Sequence, residues 1–125
     1  MRRQKAQFYY PRTLKREEGS TIKERVRHFI YSEDIYKSGG LWVSVRDVQA
    51  SEAISSGLAY EKHNIKIKAA YNSRITGDCY VIFQNKIYNV NGTPDMYNFN
   101  KRSEMNLVAV ETNDTYSYKG DEYEY

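Results

Sequence analysis

Histidine, cysteine and paired carboxylates are the side chains that do catalysis or hold metals, and this sequence spreads them thinly. His28 and His63 are its two histidines, and neither has a cysteine or a second histidine at ligand spacing. Glu17-Glu18 follows Arg16 directly, and Asp34 and Asp47 stand apart from any partner in sequence. Cys79, the one cysteine, opens the apolar run "CYVIF", where burial raises a thiol's pKa and leaves it inert. There is no glycine-rich phosphate loop and no nucleophile beside a base. The expectation is a protein without catalytic residues, metal or cofactor. The basic residues are more informative. Arg2, Arg3, Lys5 and Arg12, followed by Lys15 and Arg16, interleave with Phe8, Tyr9 and Tyr10. Cations of this kind neutralise phosphates, and rings beside them stack on bases. Lys66 and Lys68 fall on one face of a strand and extend such a patch. Binding to nucleic acid or to an acidic neighbour is therefore the chemistry these residues offer.

The chain has 125 residues, enough for one domain with one modest core. Apolar residues make up 40% and charged residues 28%, as in a soluble domain. A mean hydropathy of -0.82 implies that part of the chain lies outside the core. The longest apolar runs are far too short to span a membrane. The basic N-terminus lacks the apolar stretch of a signal peptide, so a cytoplasmic origin is expected. A single cysteine excludes an intrachain disulfide. The thirteen tyrosines suit half-buried strands and protein interfaces. The net charge of +3 conceals an asymmetry. Residues 1–28 hold nine Lys or Arg against three Glu, and residues 111–125 hold one Lys against five Asp or Glu. Two end segments of opposite sign are suited to different surfaces.

The elements that must position these residues are short strands. Residues 1–20 are basic, and Pro11 opposes a helix through them, which predicts an extended arm that orders on docking. A core over 21–113 follows. "TIKERVRHFIYS" (21–32), "LWVSVRDVQA" (41–50), "HNIKIKAAY" (63–71) and "SEMNLVAVETN" (103–113) are rich in β-branched and aromatic residues or alternate in hydropathy. "CYVIFQNKIYNVNG" (79–92) divides into two strands around "QNK", with Asn85 suited to a left-handed turn position. "SEDIYKSGG" and "TPDMYNFNKR" read as loops, and 114–125 as a mobile acidic-aromatic tail. Six short strands with little helix predict a small all-β, single-domain antiparallel barrel, in which closure removes exposed sheet edges.

One connection is out of proportion. Between the second and third expected strands lies "ASEAISSGLAYEK": Ala50, Ser51, Glu52, Ala53, Ile54, Ser55, Ser56, Gly57, Leu58, Ala59, Tyr60, Glu61 and Lys62. Two to five residues suffice for a hairpin connection. Ser51 suits the cap of a short helix and Gly57 its end. The small residues suit close approach of backbones, and Gly57 suits a hinge.

From Trp42 to Val110 the pattern resembles the phage head-tail joining family, also called head closure or stopper proteins. The likeness is carried by "LWVSVRDVQASEAI" after a Gly-Gly turn, then "NIKIKAAYNSRITGDCYVIFQNKIYNV", with Tyr88 and Val90 at aromatic and aliphatic positions, and finally "MNLVAVE". It covers about residues 21–113. The chain departs from the family at Lys68-Ala69-Ala70, where an arginine is frequent, and in its two end segments. The resemblance implies a β-barrel in a homo-oligomeric ring, commonly of twelve copies, at the head-tail interface of a virion assembled in the host cytoplasm. Its partners would be the portal and adaptor rings, a tail terminator or tail-tube protein, and the double-stranded DNA passing through. It implies that the Ala50–Lys62 loop points into the channel. Arg2, Arg3, Lys5, Phe8, Tyr9, Tyr10 and Arg12 become a candidate ring-docking arm. The alternative, read from its residues alone, is a small basic barrel that binds nucleic acid.

Overall fold

The computed structural model describes residues 3–16, 23–48, 63–97 and 104–125. The elements are β1 (Arg3–Arg16), β2 (Lys23–Phe29), α1 (Glu33–Lys37), β3 (Leu41–Asp47), β4 (Asn64–Ala70), β5 (Tyr80–Phe83), β6 (Lys86–Tyr97), β7 (Glu104–Glu111) and β8 (Asp121–Tyr123). Six of the strands close on themselves in the order β1-β3-β4-β7-β6-β5, every pairing antiparallel. Closure comes from β1, which pairs with β3 over Arg3–Ala6 and with β5 over Gln7–Tyr9. Beyond Tyr9, β1 leaves the ring and pairs with β2, and β8 adds to β2 in parallel.

Period-two alternation explains the staves. In β4, Ile65, Ile67 and Ala69 are buried while Lys66 and Lys68 point outward. In β7, Met105, Leu107 and Ala109 do the same opposite Asn106 and Val108. Gln84 and Asn85 both have positive φ and form the tight β5–β6 turn. The strand after it is longer than "TPDMYNFNKR" suggests: β6 runs on to Tyr97, with a register irregularity between Asn91 and Asp95 next to Gly92, whose φ is positive. The polar loop after β2 contains the short helix α1, whose Ser32 side chain accepts from the Ile35 N–H.

Six barrel strands were expected and six are found, but their membership differs. Residues 3–16 of the expected arm are the strand that closes the barrel. Phe8 and Tyr9 are fully buried, and Tyr10 packs against the core. Consecutive strand residues face opposite sides, so two burying surfaces are needed. Phe8 belongs to the barrel, whereas Tyr9 lies among Phe29, Tyr80 and Tyr118. Pro11 is tolerated because no described strand pairs with the second edge of β1 beyond Tyr9. The acidic C-terminal segment is likewise docked rather than a free tail: it contributes β8, and Tyr118 and Tyr123 pack on the core. The Ala50–Lys62 segment lies outside the described residues.

Candidate interaction surface

Three neighbouring strands bring the basic residues together. Cross-strand register places Lys5 opposite Trp42 and Arg3 opposite Ser44 on β1–β3, then Ser44 opposite Lys68 and Arg46 opposite Lys66 on β3–β4. Residues paired in this way share a face of the sheet. Here it is the outer face, because the alternating Val43, Ile65 and Ile67 are buried inside. Trp42 is 52% exposed, with Lys5 Nζ 4.7 Å and Arg3 Cζ 5.8 Å from its ring centroid. Lys5 is held there by donating to the Ser38 carbonyl at 3.0 Å. Glu104 is 3.4 Å from Lys68. The surface is thus a cationic sheet face centred on one exposed indole.

The Gly-Gly turn sets the edge of this face. Gly40 has φ +106, and a Cβ on it would stand 2.7 Å from the Ala6 carbonyl carbon and overlap its oxygen. Glycine lets β3 start directly against β1, which puts Trp42 opposite Lys5.

A polar cluster joins the ends of β3 and β4, where the segment across 49–62 leaves and returns. His63 Nε2 is 2.5 Å from Asp47 Oδ1, and Nδ1 is 3.2 Å from the Tyr88 hydroxyl and 3.7 Å from Glu111. The Val48 N–H donates to the Asn64 carbonyl at 3.0 Å. Asp47 is 77% exposed on its side chain, so this ion pair is solvated and contributes little to stability. Its geometry nonetheless holds the two ends of the connection side by side.

A different set of charges surrounds the C-terminal segment. Glu122 accepts from Arg12 at 2.7 Å and lies 2.6 Å from His28 Nδ1, while Glu124 lies 2.8 Å from His28 Nε2. Burial pushes the Glu122 carboxyl upward, but Arg12 and His28 outweigh it and hold it below the usual carboxylate range. The guanidinium groups of Arg25 and Arg27 lie 4.2 and 4.3 Å from the ring centres of Tyr116 and Tyr118. Asp114 accepts from both Tyr9 and Tyr118 at 2.6 Å. Burial, then the Asp114 carboxylate, pushes both phenols upward, so they stay neutral donors. Between this segment and α1 lies an acidic cleft of about 470 Å³ lined by Glu33, Asp34, Glu122 and Glu124 with Tyr123 and Tyr125.

The seven candidate arm residues therefore part company. Arg3 and Lys5 join the exposed face, Phe8 and Tyr9 enter the core, and Tyr10 packs tilted against His28 with ring centres 4.8 Å apart. Arg12 pairs with Glu122, and Arg2 lies outside the described residues. Sequence reasoning missed Trp42 as the centre of the face, although an outward tryptophan in an alternating strand was the available signal. It also missed the carboxylates around both histidines. The contacts of His28 span 94 and 96 positions, and no local spacing reveals them. Cys79 is buried, and burial raises its pKa as its apolar run suggests. Among the described residues no group of histidine, cysteine and carboxylate side chains is arranged to hold a metal ion.

No family model and no curated protein matches the chain. Among solved structures it is similar to protein SF1141 from Shigella flexneri 2a, known as a solution structure. The two share 20% identity and a TM-score of 0.59, over 90% of this chain and 93% of that one. The likeness is one of fold.

Proposed function

We propose that the chain is a structural subunit of a phage head-tail connector, forming a ring beneath the portal or adaptor that closes the DNA-filled head and offers the tail a docking surface. One observation carries the reading. The stretch that resembles the head-tail joining family, 42–110, supplies β3, β4, β5, β6 and β7, which are five of the six staves of the closed barrel. The closing strand β1 lies outside the resembling stretch, and β2, within its wider 21–113 coverage, lies outside the ring. Asp47 and His63 hold the two ends of the channel-loop candidate together at one end of β3 and β4. In this reading Ala50–Lys62 from successive copies converge on the channel axis, and the barrel wall supplies contacts to neighbouring rings. In-vitro complementation tests it: purified protein added to heads and tails made without it restores infectious particles. Failure of correctly folded protein to join them contradicts the reading.

A second reading, a nucleic-acid-binding barrel, is favoured by Arg3 and Lys5 beside the exposed Trp42. It predicts tight oligonucleotide binding that falls steeply with salt and weakens on Trp42→Ala. A connector subunit shows little affinity for free oligonucleotides.

A further inference from the structure

His28 is buried, its side chain 9% exposed, and both of its ring nitrogens face carboxylates of the C-terminal segment. Nδ1 is 2.6 Å from Glu122 and Nε2 is 2.8 Å from Glu124. An ionised carboxylate only accepts hydrogen bonds, and a neutral imidazole carries one N–H. Two such contacts therefore require two ring protons. The surroundings suit a cation. β1 supplies Tyr10, tilted against the ring, and Arg12, which donates to Glu122 at 2.7 Å. Burial, then the Glu124 carboxylate, pushes the Tyr10 phenol upward, so it stays neutral. β8 leads into Glu122 and Glu124, and α1 adds Glu33 and Asp34 on the cleft that these carboxylates line. Glu33 is itself 3.6 Å from Lys37. With His28 as an imidazolium, Arg12 and His28 balance Glu122 and Glu124.

We propose that His28 is a proton-operated latch on the C-terminal segment: an imidazolium bridges Glu122 and Glu124, and loss of one ring proton frees the last residues of the chain from β2. The inference goes beyond the connector reading and does not depend on it. The order of release follows from the partners. Glu122 is fixed by Arg12 as well, so the N–H left on a neutral ring stays at Nδ1. Nε2 then turns a lone pair toward Glu124 in a site nearly closed to water. Two acceptors facing each other there repel. The remaining hold on this end is short. β8 pairs with β2 over three residues, and the Glu124 N–H is shared between the Phe29 and Tyr31 carbonyls at 3.2 and 2.9 Å. The Tyr123 ring centre lies 5.6 Å from that of Phe29 and 5.3 Å from that of Tyr36. Release of Glu124 lifts Tyr123 from both and opens an aromatic surface beside the outer edge of β2. Asp114 on Tyr9, and Tyr118 under Arg27, keep the earlier part of the segment in place.

Nuclear magnetic resonance of the full chain with labelled histidine rings tests the inference. His28 is expected to carry a proton on each ring nitrogen at about pH 6 and one proton, on Nδ1, at about pH 9, a span over which a free imidazole passes from mostly charged to neutral. The latch thus stabilises the segment at the lower pH, and that contribution is lost as pH rises. Amide signals of residues 122–124 are expected to move in step with the ring. Their hydrogen exchange, corrected for its intrinsic pH dependence, should rise about tenfold relative to the barrel strands. In Glu124→Gln the side-chain amide accepts from a charged ring and, turned over, donates to a neutral one. This variant is expected to keep the segment closed across the whole span, with amides that no longer follow the ring. His28→Gln, which donates without titrating, is expected to abolish the step and identifies the His28 signals by their loss. A ring with a single N–H at about pH 6 overturns the proposal, as do amides of 122–124 that stay still while the wild-type ring titrates. A segment that still opens with the ring in Glu124→Gln also overturns it, because the lone pair at Nε2 would then not be the cause.

Discussion

Single residues decide whether β1 can close the barrel. The Tyr31 hydroxyl accepts from the buried Phe8 N–H at 2.8 Å and donates to the Gln7 side chain. Burial raises this phenol's pKa, so it remains a donor across the physiological range. Tyr31→Phe leaves the Phe8 N–H without its partner in a site closed to water. The expected loss is about 1–3 kcal/mol of unfolding free energy by urea titration, with the slope unchanged. A loss within error of zero would show that the bond is dispensable. Gly40 is a stricter case. Its positive φ, and the overlap that any Cβ there would make with the Ala6 carbonyl, leave no room for alanine unless β1 and β3 move apart. Gly40→Ala should cost about 3 kcal/mol or more and shift the indole fluorescence of Trp42, because the register at Lys5 is disturbed. Unchanged fluorescence and melting would contradict the claimed closeness of the strands.

At the scale of elements, the C-terminal segment is a strap over the outer edge of β2. Three parallel residues give little on their own. Tyr118 and Tyr123 on the aromatic layer of Tyr9 and Phe29 add apolar burial, and Glu122 and Glu124 add charged hydrogen bonds to His28. Removing residues 113–125 should therefore destabilise the barrel by about 2–4 kcal/mol. A free tail would leave the melt unchanged. The strap is also sensitive to acid. Glu122 is held below its ordinary carboxylate pKa against Arg12, with His28, Glu124 and Tyr10 packed around it. A depressed carboxylate stabilises the fold fully above its ordinary pKa of 4.5, and that contribution is lost as pH falls through the lower folded value. Amide exchange in residues 119–124 should accelerate in that window before the barrel strands respond. In Glu122→Gln the acid step should shrink, and an identical acid step would remove Glu122 from the account. The sequence made the staves legible but not the strap. β4 alternates with a polar outer face, and β7 buries every second residue, so their period is readable. β1 buries Phe8 and Tyr9 in succession, which breaks the period, and part of the second covering surface, Asp114 and Tyr118, comes from more than 100 positions away. The acidic, tyrosine-rich composition of 114–125 resembles a solvated tail because its arginines and histidine lie in β1 and β2.

At the scale of the whole molecule, a closed barrel leaves few exposed edges, so the proposed contacts with neighbouring proteins fall to side-chain faces and to the strap end. The all-β class and a small closed barrel were readable from strand patterns, but not that residues 3–16 supply the closing strand. The grouping of Arg3, Lys5 and Trp42 was not, because it depends on which strand lies beside β3. Six of the thirteen tyrosines find a reason here: Tyr9, Tyr31, Tyr36, Tyr80, Tyr118 and Tyr123 build the layer between barrel, α1 and strap. The central claim is that this assembly sits where a phage head meets its tail. Electron microscopy of a lysate from phage lacking only this gene tests it most directly. The account predicts complete tails lying separate from tailless heads that have lost DNA. Intact, DNA-filled particles carrying normal tails would contradict it.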